Sequence, residues 1–104
     1  MARPRIDLPR ERIAEFCRRW KVREFSLFGS VLRDDFRPDS DVDVMVDFEP
    51  DAKRSLFDLV SMMDELKEIF GREVDLLTRR AVEQSRNYIR RKAILSSREV
   101  VHVS

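Results

Sequence analysis

The chain predicts an α/β fold of the α+β kind: a small mixed β-sheet with helices packed on one face and the other face left for a site. Two patterns lead there. Apolar residues recur at helical spacing in separate stretches, and short alternating stretches lie between them, which gives the order α, β, α, β, α, β, α, β. At 104 residues, positions 1–104 are expected to form a single domain with one core and no room for a separate substrate-binding domain.

The first helix is expected over Leu8–Lys21, where Ile13, Phe16, Cys17 and Trp20 share a face and Pro9 sits near the start, where its missing N–H is harmless. Glu24–Phe28 reads as a strand running into Gly29, and Ser30–Arg33 can begin a helical turn. The next strand opens at Asp41. Side chains alternate along it, so Val42, Val44, Val46 and Phe48 would bury against helices while Asp41, Asp43, Met45 and Asp47 face the site. A polar connection with a turn-forming proline, Glu49–Lys53, leads to a helix over Ser55–Phe70 that carries Leu56, Leu59, Val60, Met63, Leu66 and Phe70, with Gly71 as its C-terminal cap. Glu73–Thr78 alternates as a short strand, with Val74 and Leu76 on one side and Asp75 and Leu77 on the other. A single, more basic helix is expected over Ala81–Leu95, and Val100–Val103 as a closing edge strand.

Chemistry concentrates between Phe28 and Asp43. Asp41 and Asp43, two apart on a strand, project to one side and repel each other. A divalent cation between them removes that cost, and Mg²⁺ takes one or two carboxylates together with waters and substrate phosphate oxygens. Gly29 and Ser30 supply the complementary half: a chain leaving a strand through glycine into a helical turn presents free amide N–H groups, which with the Ser30 hydroxyl can hold the outer phosphates of a nucleotide. Other phosphate loops are excluded, because the chain has 2 glycines and neither G-x-x-x-x-G-K-[ST] nor G-x-G-x-x-G can be written with them. Asp75 could join the two acids if its strand pairs beside theirs. Asp-x-Asp alone is a weak motif that usually faces solvent; its union with Gly-Ser at this spacing gives it weight.

Phe28-Gly29-Ser30, ten further residues, then Asp41-Val42-Asp43, with Arg33, Ser40 and Val46-Asp47-Phe48, resembles the signature of the DNA polymerase beta-like nucleotidyltransferase superfamily. More narrowly it resembles the minimal nucleotidyltransferases, the antitoxins that pair with a HEPN-domain toxin. The resemblance covers nearly the whole chain. Two positions depart from the pattern: Leu32 stands where a small residue is usual, and Asp35 near a position often held by glycine.

The resemblance implies a polymerase beta-like fold and an enzyme that moves AMP from ATP to a tyrosine hydroxyl of the cognate HEPN RNase toxin, releasing pyrophosphate. It implies two Mg²⁺ ions, with Asp41 and Asp43 bridging both and Asp75 holding the ion nearest the acceptor. Gly29 and Ser30 would hold the β- and γ-phosphates, with Ser40 and Arg33 also at the nucleotide. Arg33 either reaches a phosphate or pairs with Asp34 or Asp35 on the surface. Two other classes stay open: a binding antitoxin that masks the toxin sterically and does not need its acids, and a small-molecule nucleotidyltransferase of the aminoglycoside-modifying kind.

Composition narrows the remainder. Charged residues make up 39% of the chain yet the net charge is +1, so there is no broad electrostatic footprint for nucleic acid. One Cys and one His exclude an internal disulfide and a zinc site made within the chain, and no apolar stretch approaches a signal or membrane segment. The expected compartment is the cytoplasm and the expected working form a hetero-oligomeric complex, in which a partner presents the acceptor. Cys17 reads as core, His102 as structural or exposed, and Tyr88 and Trp20 as packing residues. Arg86, Arg90, Arg91 and Lys92 read as a solvated helix face that could dock an acidic partner, with Arg86 and Arg90 on one side.

Overall fold

The computed structural model describes residues 8–32 and 41–103, with only the backbone of Ser30. Arg33 and Ser40, both expected at the nucleotide, lie outside the described residues, as does the Ser30 hydroxyl.

The elements run α1 (Arg10–Trp20), β1 (Val22–Phe28), a 3-10 turn (Gly29–Leu32), β2 (Val42–Phe48), α2 (Leu56–Phe70), β3 (Val74–Thr78), α3 (Arg79–Glu83), α4 (Tyr88–Ser97) and β4 (Glu99–Val103). The four strands form one sheet in the order β3-β2-β1-β4. It is mixed: β1 runs antiparallel to β2 and β4, while β2 and β3 are parallel. Parallel neighbours need a crossover, and α2 provides it.

Local chemistry fixes the helix ends. Pro9 stands at the N-cap of α1. Ser55 and Asp58 close a capping box on α2, each side chain accepting from the other's backbone N–H, and Gly71 ends that helix at φ +69° with its N–H on the Lys67 carbonyl. Val74, Val42 and the inward residues of β1 and β2 then meet α1 and α2 in the main core, where Ile13, Phe16, Phe25, Leu27, Val44, Val46, Met62 and Leu66 are all buried. Phe25 sits at its centre, edge-on to Phe16 at 6.0 Å and stacked on Phe70 at 6.5 Å.

Two expectations are corrected here. The basic stretch is two helices, because the Thr78 hydroxyl caps α3 and the Asn87 side chain caps α4, with Ser85 Oγ accepting from the Asn87 N–H between them. Arg86 lies in that break, so Arg86 and Arg90 do not share a helix face. The sheet's second face is also not bare. Phe28 and Met45 from the sheet, Val82 from α3 and Ile94 from α4 form a smaller buried cluster there, so helices lie mainly but not solely on one face.

Candidate active site

Strand register brings two of the three expected acids, Asp43 and Asp75, side by side. Phe28 of β1 is opposite Asp43 of β2, and Asp43 is opposite Asp75 of β3, so one row across the sheet reads Phe28, Asp43, Asp75. The next row reads Ser26, Met45, Leu77. Cross-strand partners share a face. Met45 in the second row is only 2% exposed beneath Val82 and Ile94, so it closes the floor and does not face the site as its alternation with the acids suggested. Asp47, further along β2, is taken up by Arg23 at 2.6 Å, and that hydrogen bond and charge hold the Arg23 guanidinium above its ordinary pKa. The site therefore narrows to the Gly29 end of β2. Asp41 stands just before β2 and is exposed; Val42 extends the ladder by donating to the Glu73 carbonyl at 3.0 Å.

Gly29 closes that end. It leaves β1 at φ +74°, a region L-residues enter only at a cost. A Cβ built on it would lie 3.2 Å from Asp43 Cγ and closer still to Oδ2. The glycine thus lets the backbone of the turn press directly on the Asp43 carboxylate.

Phe28, Gly29, Leu32 and Asp43 form one side of a cleft of about 480 Å³, and Arg90, Ala93, Ile94 and Ser97 of α4 form the other. That volume falls in the range of small-molecule sites. Asp75 is exposed beside Asp43 but does not line the cleft. Among the described residues no three of His, Cys, Asp and Glu converge as a preformed metal centre. The pair Asp43 and Asp75 nevertheless offers hard carboxylate oxygens in adjacent strands, and Mg²⁺ needs only one or two of these, completing its shell with water and phosphate. The donor set fits that ion.

Arg90 was hidden in the sequence within a run of basic residues. Residues 90, 93, 94 and 97 follow helical spacing, a pattern that marks one face of α4 but does not say what it faces. The clamp holding α4 in place was equally hidden: Arg98, directly after the helix, bonds Glu24 and reaches Ser26 Oγ at 3.2 Å, while Arg79 at the start of α3 lies 3.8 Å from the same Glu24 carboxylate.

The profile of the nucleotidyltransferase domain matches residues 10–100. The chain belongs to that family. Among curated nucleotidyltransferases, the protein adenylyltransferase MntA of Thermococcus cleftensis is 36% identical over 86% of this chain and 82% of its own length. A Methanocaldococcus jannaschii protein assigned as a protein adenylyltransferase is 44% identical over 55% of this chain. The chain spans 59% and 64% of the length of two such M. jannaschii relatives. The nucleotidyltransferase fold is also that of a toxin–antitoxin crystal structure with AMP-PNP, at a TM-score of 0.71 and 18% identity over 93% of this chain and 75% of that one. It is likewise that of a Shewanella oneidensis MNT antitoxin complexed with its tri-AMPylated HEPN toxin, at a TM-score of 0.63 and 18% identity over 91% of this chain and 70% of that one.

Proposed function

We propose that this chain is the antitoxin of a toxin–antitoxin pair and works as a Mg²⁺-dependent protein adenylyltransferase, moving AMP from ATP to a tyrosine hydroxyl of a cognate HEPN toxin. The observation that carries this reading is the packing of Gly29 on Asp43, with Asp75 in register beside it, at the end of a nucleotide-sized cleft. The likeness to an MntA protein adenylyltransferase over most of both chains supports the protein acceptor.

In the reaction the tyrosine oxygen attacks the α-phosphorus, a new P–O ester bond forms, and the bond to the β-phosphate oxygen breaks, its electron pair leaving with pyrophosphate. Asp41, Asp43 and Asp75 would hold two Mg²⁺ ions, which when bound neutralise the triphosphate and sharpen the attacking hydroxyl. Asp75, exposed on the strand beside Asp43, would be the carboxylate that receives the hydroxyl proton. The Gly29 turn offers its backbone N–H groups to the outer phosphates, with Ser30, Arg33 and Ser40 as further contacts. Positioning and charge stabilisation supply most of the acceleration in such a reaction.

The active form in this proposal is a complex with the toxin in the cytoplasm, where ATP is available. No described helix is long and apolar enough to cross a membrane. The test is label transfer from ATP carrying ³²P at either the α or the γ position. Label on the toxin from α alone is expected; label from γ alone, or from neither, would refute adenylylation.

A further inference from the structure

The cleft brings acids towards a ligand that is itself strongly anionic. If the proposed nucleotidyl transfer is right, on which this inference rests, a triphosphate must lie against Asp43, across the cleft from α4. Its outer phosphates, met from the sheet side by the Gly29 turn, are open to a second, cationic contact from the other wall. That wall is one face of α4, and among the described residues Arg90 is its only charged lining residue, with Ala93, Ile94 and Ser97 completing the row.

Arg91, Arg98 and Arg79 are committed elsewhere. Arg91 donates to the carbonyls of Glu83 and Ser85, each at 3.3 Å, and lies over the Tyr88 ring at 5.4 Å. Arg98 and Arg79 share Glu24, and Arg79 also bonds Glu83 at 3.2 Å. Arg90 contributes its backbone N–H to the Asn87 cap at 3.0 Å, and among the described residues its guanidinium has no ion-pair partner. A guanidinium presents a planar fork suited to two phosphate oxygens, and a place in the first turn of a ten-residue helix adds the favourable end of the helix dipole.

We propose that Arg90 is the residue that binds the β- and γ-phosphates from the α4 side, and so makes the cleft select a nucleoside triphosphate over the monophosphate product group. The Glu24–Arg98 clamp, at the other end of the same helix, fixes the wall from which it reaches.

Calorimetric titration of the full chain with ATP and with AMP, both with Mg²⁺, tests this on the wild type, Arg90→Ala, Arg90→Lys and Asp43→Asn. Arg90→Ala is expected to weaken ATP binding about tenfold or more while AMP binding stays within about twofold, since a charge-assisted contact is removed from one ligand only. Arg90→Lys is expected to keep part of the preference. Arg90 is exposed, so an unchanged thermal melt should show the variants folded. Unchanged ATP affinity in Arg90→Ala, with binding lost in Asp43→Asn, would overturn the role of Arg90 and leave the nucleotidyl-transfer reading standing. Equal weakening of ATP and AMP would also overturn it, by placing Arg90 at the base or ribose. A wild type that binds neither nucleotide would overturn both.

Discussion

Gly29 and Asp43 share one space: the backbone of the turn lies where a side chain on residue 29 would displace the carboxylate, with Asp43 Cγ 3.2 Å from the position of a Cβ. The glycine also carries φ +74°. Gly29→Ala therefore suffers both a left-handed backbone and a collision, and is expected to cost about 1–3 kcal/mol and to abolish transfer. Gly71→Ala is the matched comparison, with φ +69° and nothing within 4 Å of its Cβ; it should cost about 1 kcal/mol and leave transfer intact. Urea melts of both variants, with a transfer assay, separate the two effects.

Asp75 sits beside Asp43 in the parallel ladder, and like charges on register partners destabilise. Asp75→Asn is expected to raise stability by about 0.2–1 kcal/mol in EDTA and to lose most of the stabilisation that Mg²⁺ gives the wild type. Thermal melts with EDTA and with Mg²⁺ check the sign reversal. A variant less stable than wild type in EDTA would mean that Asp75 supports the fold instead.

Burial in the α1 face pushes the Cys17 thiol from an ordinary 9.0 up to about 12, against a smaller opposing pull from the Arg18 charge. Above pH 9 the unfolded thiol ionises while the folded one keeps its proton, so the folded state binds more protons and stability falls as pH rises. The contribution is about 1.4 kcal/mol per pH unit within the window from 9.0 to about 12. Cys17→Ala should show a shallower decline there in denaturant melts at stepped pH. At neutral pH the native thiol should resist iodoacetamide until the protein is unfolded.

Arg98 is 18% and Glu24 19% exposed at their side chains, and buried Ser26 shares the same guanidinium. Arg98→Ala leaves a largely desolvated carboxylate without this partner and is expected to cost about 1–3 kcal/mol by urea denaturation. Adding Glu24→Gln should recover part of the loss, since the double variant no longer buries that charge.

Much of the site was legible because it is local. The β2 alternation, the strand running into Gly29 and the short strand carrying Asp75 are short-range patterns, but whether the strand of Asp75 pairs beside that of Asp43 is a long-range question that the sequence left open and the parallel ladder answers. The break between α3 and α4 was missed although its signals were present: Thr78, Ser85 and Asn87 each offer the backbone a side-chain partner that competes with a continuous helix. Arg90 and the Glu24–Arg98 pair were illegible for another reason. Arg98 and Glu24 are 74 residues apart, and no periodicity encodes which exposed face of a basic helix turns back over the sheet.

The central claim is that the acids at the head of β2 run a transfer chemistry on a protein partner. Intact-mass analysis of the cognate HEPN toxin after coexpression with the wild type or with Asp41→Asn/Asp43→Asn tests it most directly. One or more added AMP groups on the toxin with the wild type alone is the predicted result. A toxin of unchanged mass that is still bound and silenced by both forms would contradict the claim and leave a nucleotidyltransferase fold acting by occlusion.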